Sequence, residues 1–161
     1  MTARSPDPID ALETRRRRDA IRRLARSVGF VGRVEYRHEY SQTGGAQYAR
    51  GVNGDSIVVY AEAFVRDADP DDFSLLAIIA HERGHQLLAR EPRLFDRMAN
   101  ISLNAEEVLA SLLGALVLEP GDDRDALIAK ATVEVLSAGN TSAEAAVGLI
   151  QDLWNLLEAL L

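Results

Sequence analysis

His81, Glu82 and His85 fall in the run His81-Glu82-Arg83-Gly84-His85, and the 161-residue chain holds only three histidines. On a helix, residues four apart share a face. Two imidazoles so placed can grip one divalent cation while the intervening glutamate reaches a water beside it. The spacing therefore predicts hydrolysis by metal-activated water, with Glu82 as general base. A catalytic site of this kind needs a third protein ligand and an open position. No histidine follows His85, so that ligand must be a carboxylate. Glu106 and Glu107 lie 21 and 22 residues beyond it. Glu107 shares a helix face with the small residues Ala110, Ser111 and Gly114, which would let two helices approach closely. Glu106 shares its face with Leu109, Ala110 and Leu113. Asn104-x-x-Glu107 is equally a helix-capping pattern, so local sequence leaves ligand and cap evenly balanced.

The motif must sit on a rigid element. Asp69 as N-cap, Pro70 at the first helical position, and Asp71 and Asp72 at the dipole's positive end predict a helix there. Phe73, Leu75, Leu76, Ile78, Ile79, Leu87 and Leu88 make it apolar nearly all round, so His81, Glu82 and His85 are expected to be buried polar groups in need of partners. Gly84 in mid-helix costs up to about 1 kcal/mol relative to alanine. Its presence suggests that another backbone comes close. Arg83 is expected to point outward.

Ahead of that helix, residues 9–28 carry a 3.6-residue apolar stripe (Ile9, Leu12, Ile21, Leu24, Ala25, Val28) and stop at Gly29. Val34, Tyr36, His38 and Tyr40 then alternate with charged residues, the period of a strand. Residues 46–52 offer a second strand and Ser56 to Phe64 a third, with Asn53-Gly54 as the hairpin signal between them. A three-stranded antiparallel sheet is the simplest result. Beyond the motif helix, residues 91–103 look irregular or weakly helical. Helices are expected from Asn104 to about Leu118, from Asp122 or Asp123 to about Leu136, and over 142–160. The last would be opened by a Thr141/Glu144 capping box. The prediction is one α+β domain spanning 1–161, with a core over about 30–120 and extra C-terminal helices over 122–160.

Composition fits a soluble globular chain: 47% hydrophobic, 27% charged and no cysteine. Without cysteine, neither a disulfide framework nor a thiolate zinc site can form, and a cytoplasmic setting is expected. The first ten residues lack the apolar run of a signal peptide, and no stretch is long enough to span a membrane. Net charge is -7. Residues 1–40 hold ten arginines against six acids, a balance of +4, whereas residues 101–161 hold two basic residues against ten acids, a balance of -8. Arg15-Arg16-Arg17-Arg18 reads as a solvated helix face, so direct nucleic-acid binding is not expected. The final helix bears Val147, Ile150, Leu153, Trp154, Leu157, Leu160 and Leu161, which most simply pack on their own domain. A homodimer or partner-docking surface is the alternative.

The pairing of His81-Glu-Arg-Gly-His85 with a downstream Glu107-x-x-Ala110 resembles the ImmA/IrrE family of HExxH metallopeptidases. From Glu107 the run Glu-Val-Leu-Ala-Ser-Leu-Leu-Gly-Ala-Leu-Val-Leu-Glu-Pro keeps the family's register to Pro120. Ser111 stands where Asn or Asp is usual, and Glu119 where Met is usual. The resemblance covers about residues 30–120. It implies a zincin-like core of gluzincin type binding one Zn²⁺ through His81, His85 and Glu107, with Glu82 as base. It also implies a protein or peptide substrate, cut in a limited way, of which a DNA-binding regulator is one type. Oxyanion donors on the sheet would come from Tyr36, His38, Tyr40, Tyr48 or Tyr60, although a structural role suits His38 better. A peptide could add as a strand to a neighbouring sheet edge. The competing reading is a zinc-binding regulatory or interaction domain with a latent site.

Overall fold

The computed structural model describes residues 5–41, 44–65, 73–98, 104–139 and 141–161. Among the described residues it is an α+β fold with six α-helices and a small three-stranded sheet. Helix α1 (Ala11–Ser27) starts where Asp10 accepts a hydrogen bond from the Glu13 amide at 2.7 Å. It buries Ile21, Ala25 and the following Val28, while Leu12 faces solvent. Within the arginine run, Arg15, Arg16 and Arg18 are exposed but Arg17 turns inward. Its guanidinium lies over Tyr36 and Phe64 and donates to the Tyr36 hydroxyl at 2.7 Å. That hydroxyl also meets His38 Nδ1, and His38 Nε2 meets the Asp7 carbonyl, so His38 ties down the N-terminal segment.

Strands β1 (Arg33–Arg37), β2 (Ala46–Gly51) and β3 (Gly54–Tyr60) lie in the order β1-β3-β2. β2 and β3 are antiparallel, but β1 runs parallel to β3, which corrects the expectation of a wholly antiparallel sheet. Burial gives the reason. Ile57, Val59 and Tyr60 make β3 the most deeply buried strand, so it takes the centre. The polar β2 (Ala-Gln-Tyr-Ala-Arg-Gly) takes an edge. The β2–β3 turn is Val52-Asn53, closed by the Gly51–Gly54 pair, one residue earlier than Asn53-Gly54 suggested.

After a short 3-10 turn (Ala61–Phe64), helix α2 (Leu75–Arg90) carries the motif. Ser74 caps it, its hydroxyl accepting from the Ala77 amide at 3.0 Å; the expected start at Asp69-Pro70 lies outside the described residues. Helix α3 (Pro92–Met98) occupies part of the stretch expected to be irregular or weakly helical. Helices α4 (Ala105–Leu116), α5 (Asp122–Ser137) and α6 (Ala143–Leu160) complete the chain. The last is capped by Ser142, which accepts from Ala145, and not by a Thr141/Glu144 box. It packs inward through Ile150, Leu153 and Leu157 and leaves Val147, Leu160 and Leu161 exposed.

The α2–α4 crossing is very close. A Cβ at Gly84 would sit 1.9 Å from the Ala110 carbonyl oxygen, and one at Gly114 would sit 2.4 Å from the Ala80 carbonyl oxygen. Each glycine thus admits the other helix's backbone, as the small-residue face of α4 implied. Behind the motif, Gln86 is fully buried and donates to Asp55 Oδ2 at 2.7 Å and to the Val31 carbonyl at 3.0 Å. Arg83 does not point outward. Its Nε donates to the Val28 carbonyl just past α1 at 3.2 Å, and its head bonds Gln86. A cation there satisfies carbonyls that the helix end leaves unpaired. Among the described residues, no helix is long and apolar enough to cross a membrane.

Candidate metal centre

Helix α2 presents His81 and His85 one turn apart on the face that meets α4. Their Nε2 atoms lie 3.2 Å apart. Glu107, in the first turn of α4, places Oε2 3.0 Å from His81 Nε2 and Oε1 3.3 Å from His85 Nε2. These three residues form a group that could hold a metal ion. The capping role does not compete. Asn104 makes no side-chain cap bond, and its amide donates to Glu134 on α5 at 3.1 Å.

Two outer contacts orient the imidazoles. His81 Nδ1 meets the fully buried Ser111 hydroxyl at 3.0 Å, so the serine at this position still reaches the site. His85 Nδ1 meets Glu106 Oε1 at 3.3 Å. These Nδ1 contacts hold the ring orientations that bring both Nε2 atoms towards a shared point. Glu106 and Glu107 therefore take different places, Glu107 against both Nε2 atoms and Glu106 behind one ring.

Two imidazoles and a carboxylate are a donor set that suits zinc, and one ligand atom from each of the three residues lies within 4.8 Å of the others. Chemistry points the same way: two imidazole lone pairs and a carboxylate cannot converge without a shared proton or cation.

Electrostatics reflect that convergence. Hydrogen bonds from His81 and His85 hold the Glu107 carboxyl far below the usual carboxylate range. Burial pushes His81 down, outweighing its bond to Glu107. Burial also disfavours charge on His85, but the Glu107, Glu82 and Glu106 carboxylates outweigh it and raise this ring. Glu82 is 7% exposed, and burial pushes its carboxyl up to about 7. One oxygen, Oε2, accepts the backbone N–H of Tyr48 on edge strand β2 at 2.7 Å.

All four residues line a cleft of about 610 Å³ whose other walls include Tyr48 from the sheet, Gly45 just before β2 and Lys130 from α5. Lys130 is the chain's one lysine; its Nζ lies 3.7 Å from Glu107 Oε2 and 3.5 Å from Glu134 Oε1. Sequence reasoning missed Lys130, Glu106 as a partner of His85, and the Tyr48 amide. For Lys130 a signal existed, since it lies on the inward side of α5 between Leu127 and Ala131, both buried. The Tyr48 amide is a main-chain group and left no signal. Of the five sheet residues considered as oxyanion donors, only Tyr48 borders the cleft, and its phenol is beside Asp55. No family model, curated protein or solved structure matches the chain, so the ImmA/IrrE resemblance rests on the motif and helix register alone.

Proposed function

We propose that the chain is a zinc-dependent peptidase of the ImmA/IrrE type, making limited cuts in a regulatory protein. The observation that carries the reading is the convergence of His81, His85 and Glu107 into one group that could hold a metal ion, with the buried Glu82 beside them in the same cleft. His81 Nε2, His85 Nε2 and Glu107 would hold the ion. When bound, zinc supplies Lewis acidity for the scissile carbonyl and a water that loses its proton near neutral pH.

The protein's own groups do the rest. Glu82 is buried beside the site, and a cation bound there would favour its ionised form, the form that can accept a proton. Its Oε2 is fixed by the Tyr48 amide, so Oε1 is the oxygen that takes the water's proton and returns it to the leaving amine. Lys130 contributes an ammonium donor for negative charge developing in the cleft. Strand β2 forms both a sheet edge and a cleft wall, a suitable track for an extended peptide.

The test is to incubate zinc-loaded protein with a library of denatured bacterial proteins and to map new termini by mass spectrometry. The peptidase reading expects discrete cuts that vanish in Glu82→Gln while that variant keeps its zinc. Zinc binding without any cuts by the parent protein would favour an interaction domain with a latent site.

A further inference from the structure

The exposed face of α1 is a second feature that the metal centre does not use. Six arginines, Arg15, Arg16, Arg18, Arg22, Arg23 and Arg26, are all exposed, and Asp19 is the one exposed acid among them. With 3.6 residues per turn, Arg15, Arg18, Arg22 and Arg26 fall within an arc of about 80° and form one straight row. Arg16 and Arg23 form a second row on the far side of Asp19. No ion pair or side-chain hydrogen bond engages any of the six among the described residues. Arg17, by contrast, is paired with Glu13 and stacked on aromatic rings. The row is therefore a strip of uncompensated positive charge on a protein of net charge -7.

We infer that this face binds the phosphate backbone of duplex DNA without reading its sequence. Eleven residues of helix rise by about 16.5 Å, which spans about five phosphates at about 3.4 Å of duplex rise each. The opposite face of α1 is committed to the core through Ile21, Ala25 and Val28. The helix therefore offers only its arginine face to a partner, and guanidiniums pair well with phosphate. A membrane-surface helix would need a free apolar face, and a protein interface would need an apolar centre. Leu12, at the start of α1, is the only large apolar residue exposed on this helix. The arginine run is then more than the solvated face its sequence suggested. This inference stands apart from the peptidase reading.

The test is fluorescence anisotropy of the full protein with a labelled 20-base-pair duplex of mixed sequence, between about 50 and 200 mM salt. If the four-arginine row neutralises four phosphates, the log–log salt slope is about -3.6, so affinity falls about 150-fold over that range. The variant Arg15→Gln/Arg18→Gln/Arg22→Gln/Arg26→Gln should lose at least about 30-fold in affinity at 50 mM salt. The variant Arg33→Gln/Arg37→Gln/Arg50→Gln/Arg93→Gln removes equal charge elsewhere and should lose less than about a tenth as much. Circular dichroism of both variants verifies that they fold. Equal losses in the two variants, or no binding at 50 mM salt, would overturn the inference. So would binding to phosphatidylserine vesicles in place of DNA, or a row that serves only self-association in sedimentation.

Discussion

Gly84→Ala tests the helix crossing on which the metal centre depends. An added Cβ would lie 1.9 Å from the Ala110 carbonyl oxygen, where ordinary contact begins near 3.4 Å, so the helices must part by about 1.5 Å. Alanine in mid-helix gains about 1 kcal/mol of propensity. Overpacking a tight core costs about 1–3 kcal/mol, and more where the clash is with backbone that cannot rotate away. The net expectation is a loss of about 2 kcal/mol, which for a domain of this size lowers Tm by about 4–8 °C. Glu107 rides on α4, opposite His81 and His85 on α2. A shift of this size far exceeds the roughly 0.2 Å that metal–ligand distances tolerate. Zinc affinity should therefore fall by at least about 100-fold. Urea denaturation of the metal-free protein reads the first effect, and competition against a chromophoric zinc chelator reads the second. A Gly84→Ala protein with parental stability and parental zinc affinity would refute the reasoning.

Three further outcomes follow from the same geometry. In the metal-free protein Glu82 has a folded-state pKa raised to about 7. The fold then binds more protons than the unfolded chain between about pH 4.5 and 7, and stability falls as pH rises through that window. Glu82→Gln removes this dependence and should be more stable than the parent at pH 8, by up to about 3 kcal/mol, with no advantage below pH 4.5; parallel stability curves would contradict it. Glu107→Gln should abolish measurable zinc binding, while Glu106→Gln, acting only through His85 Nδ1, should weaken it about 10- to 100-fold; the reverse order in a chelator titration would exchange their roles. Gln86→Leu strips the Val31 carbonyl and Asp55 of a fully buried donor and should cost about 2–3 kcal/mol in urea denaturation, whereas a loss under about 0.5 kcal/mol would show that the network is dispensable.

Apolar periodicity makes α1 and α6 legible through Ile21, Ala25, Ile150, Leu153 and Leu157, which are buried, although Leu12, Val147, Leu160 and Leu161 of the same stripes are exposed. The close approach of α2 to α4 was also readable, from Gly84 and from the small face of Ala110, Ser111 and Gly114. Strand order was not. A hairpin signal fixes only the β2–β3 pair, and the central place of β3 follows from its greater burial, a property of the assembled sheet. Cap positions slipped because several polar residues near each helix start could serve. Ser74 and Ser142 were chosen by three-dimensional context. Local sequence alone leaves Glu107 between cap and ligand, and in the fold Asn104 makes no side-chain cap bond and donates to Glu134 on another helix. Arg83 looked like a surface residue because nothing local marks the end of α1 as its neighbour.

Zinc stoichiometry of the purified protein, set beside His81→Ala and Glu107→Ala, tests the central claim most directly. One zinc per chain in the parent, lost in both variants, is the result that the His81–His85–Glu107 centre requires. A parent protein that takes up no zinc, or zinc retained undiminished in both variants, would contradict it.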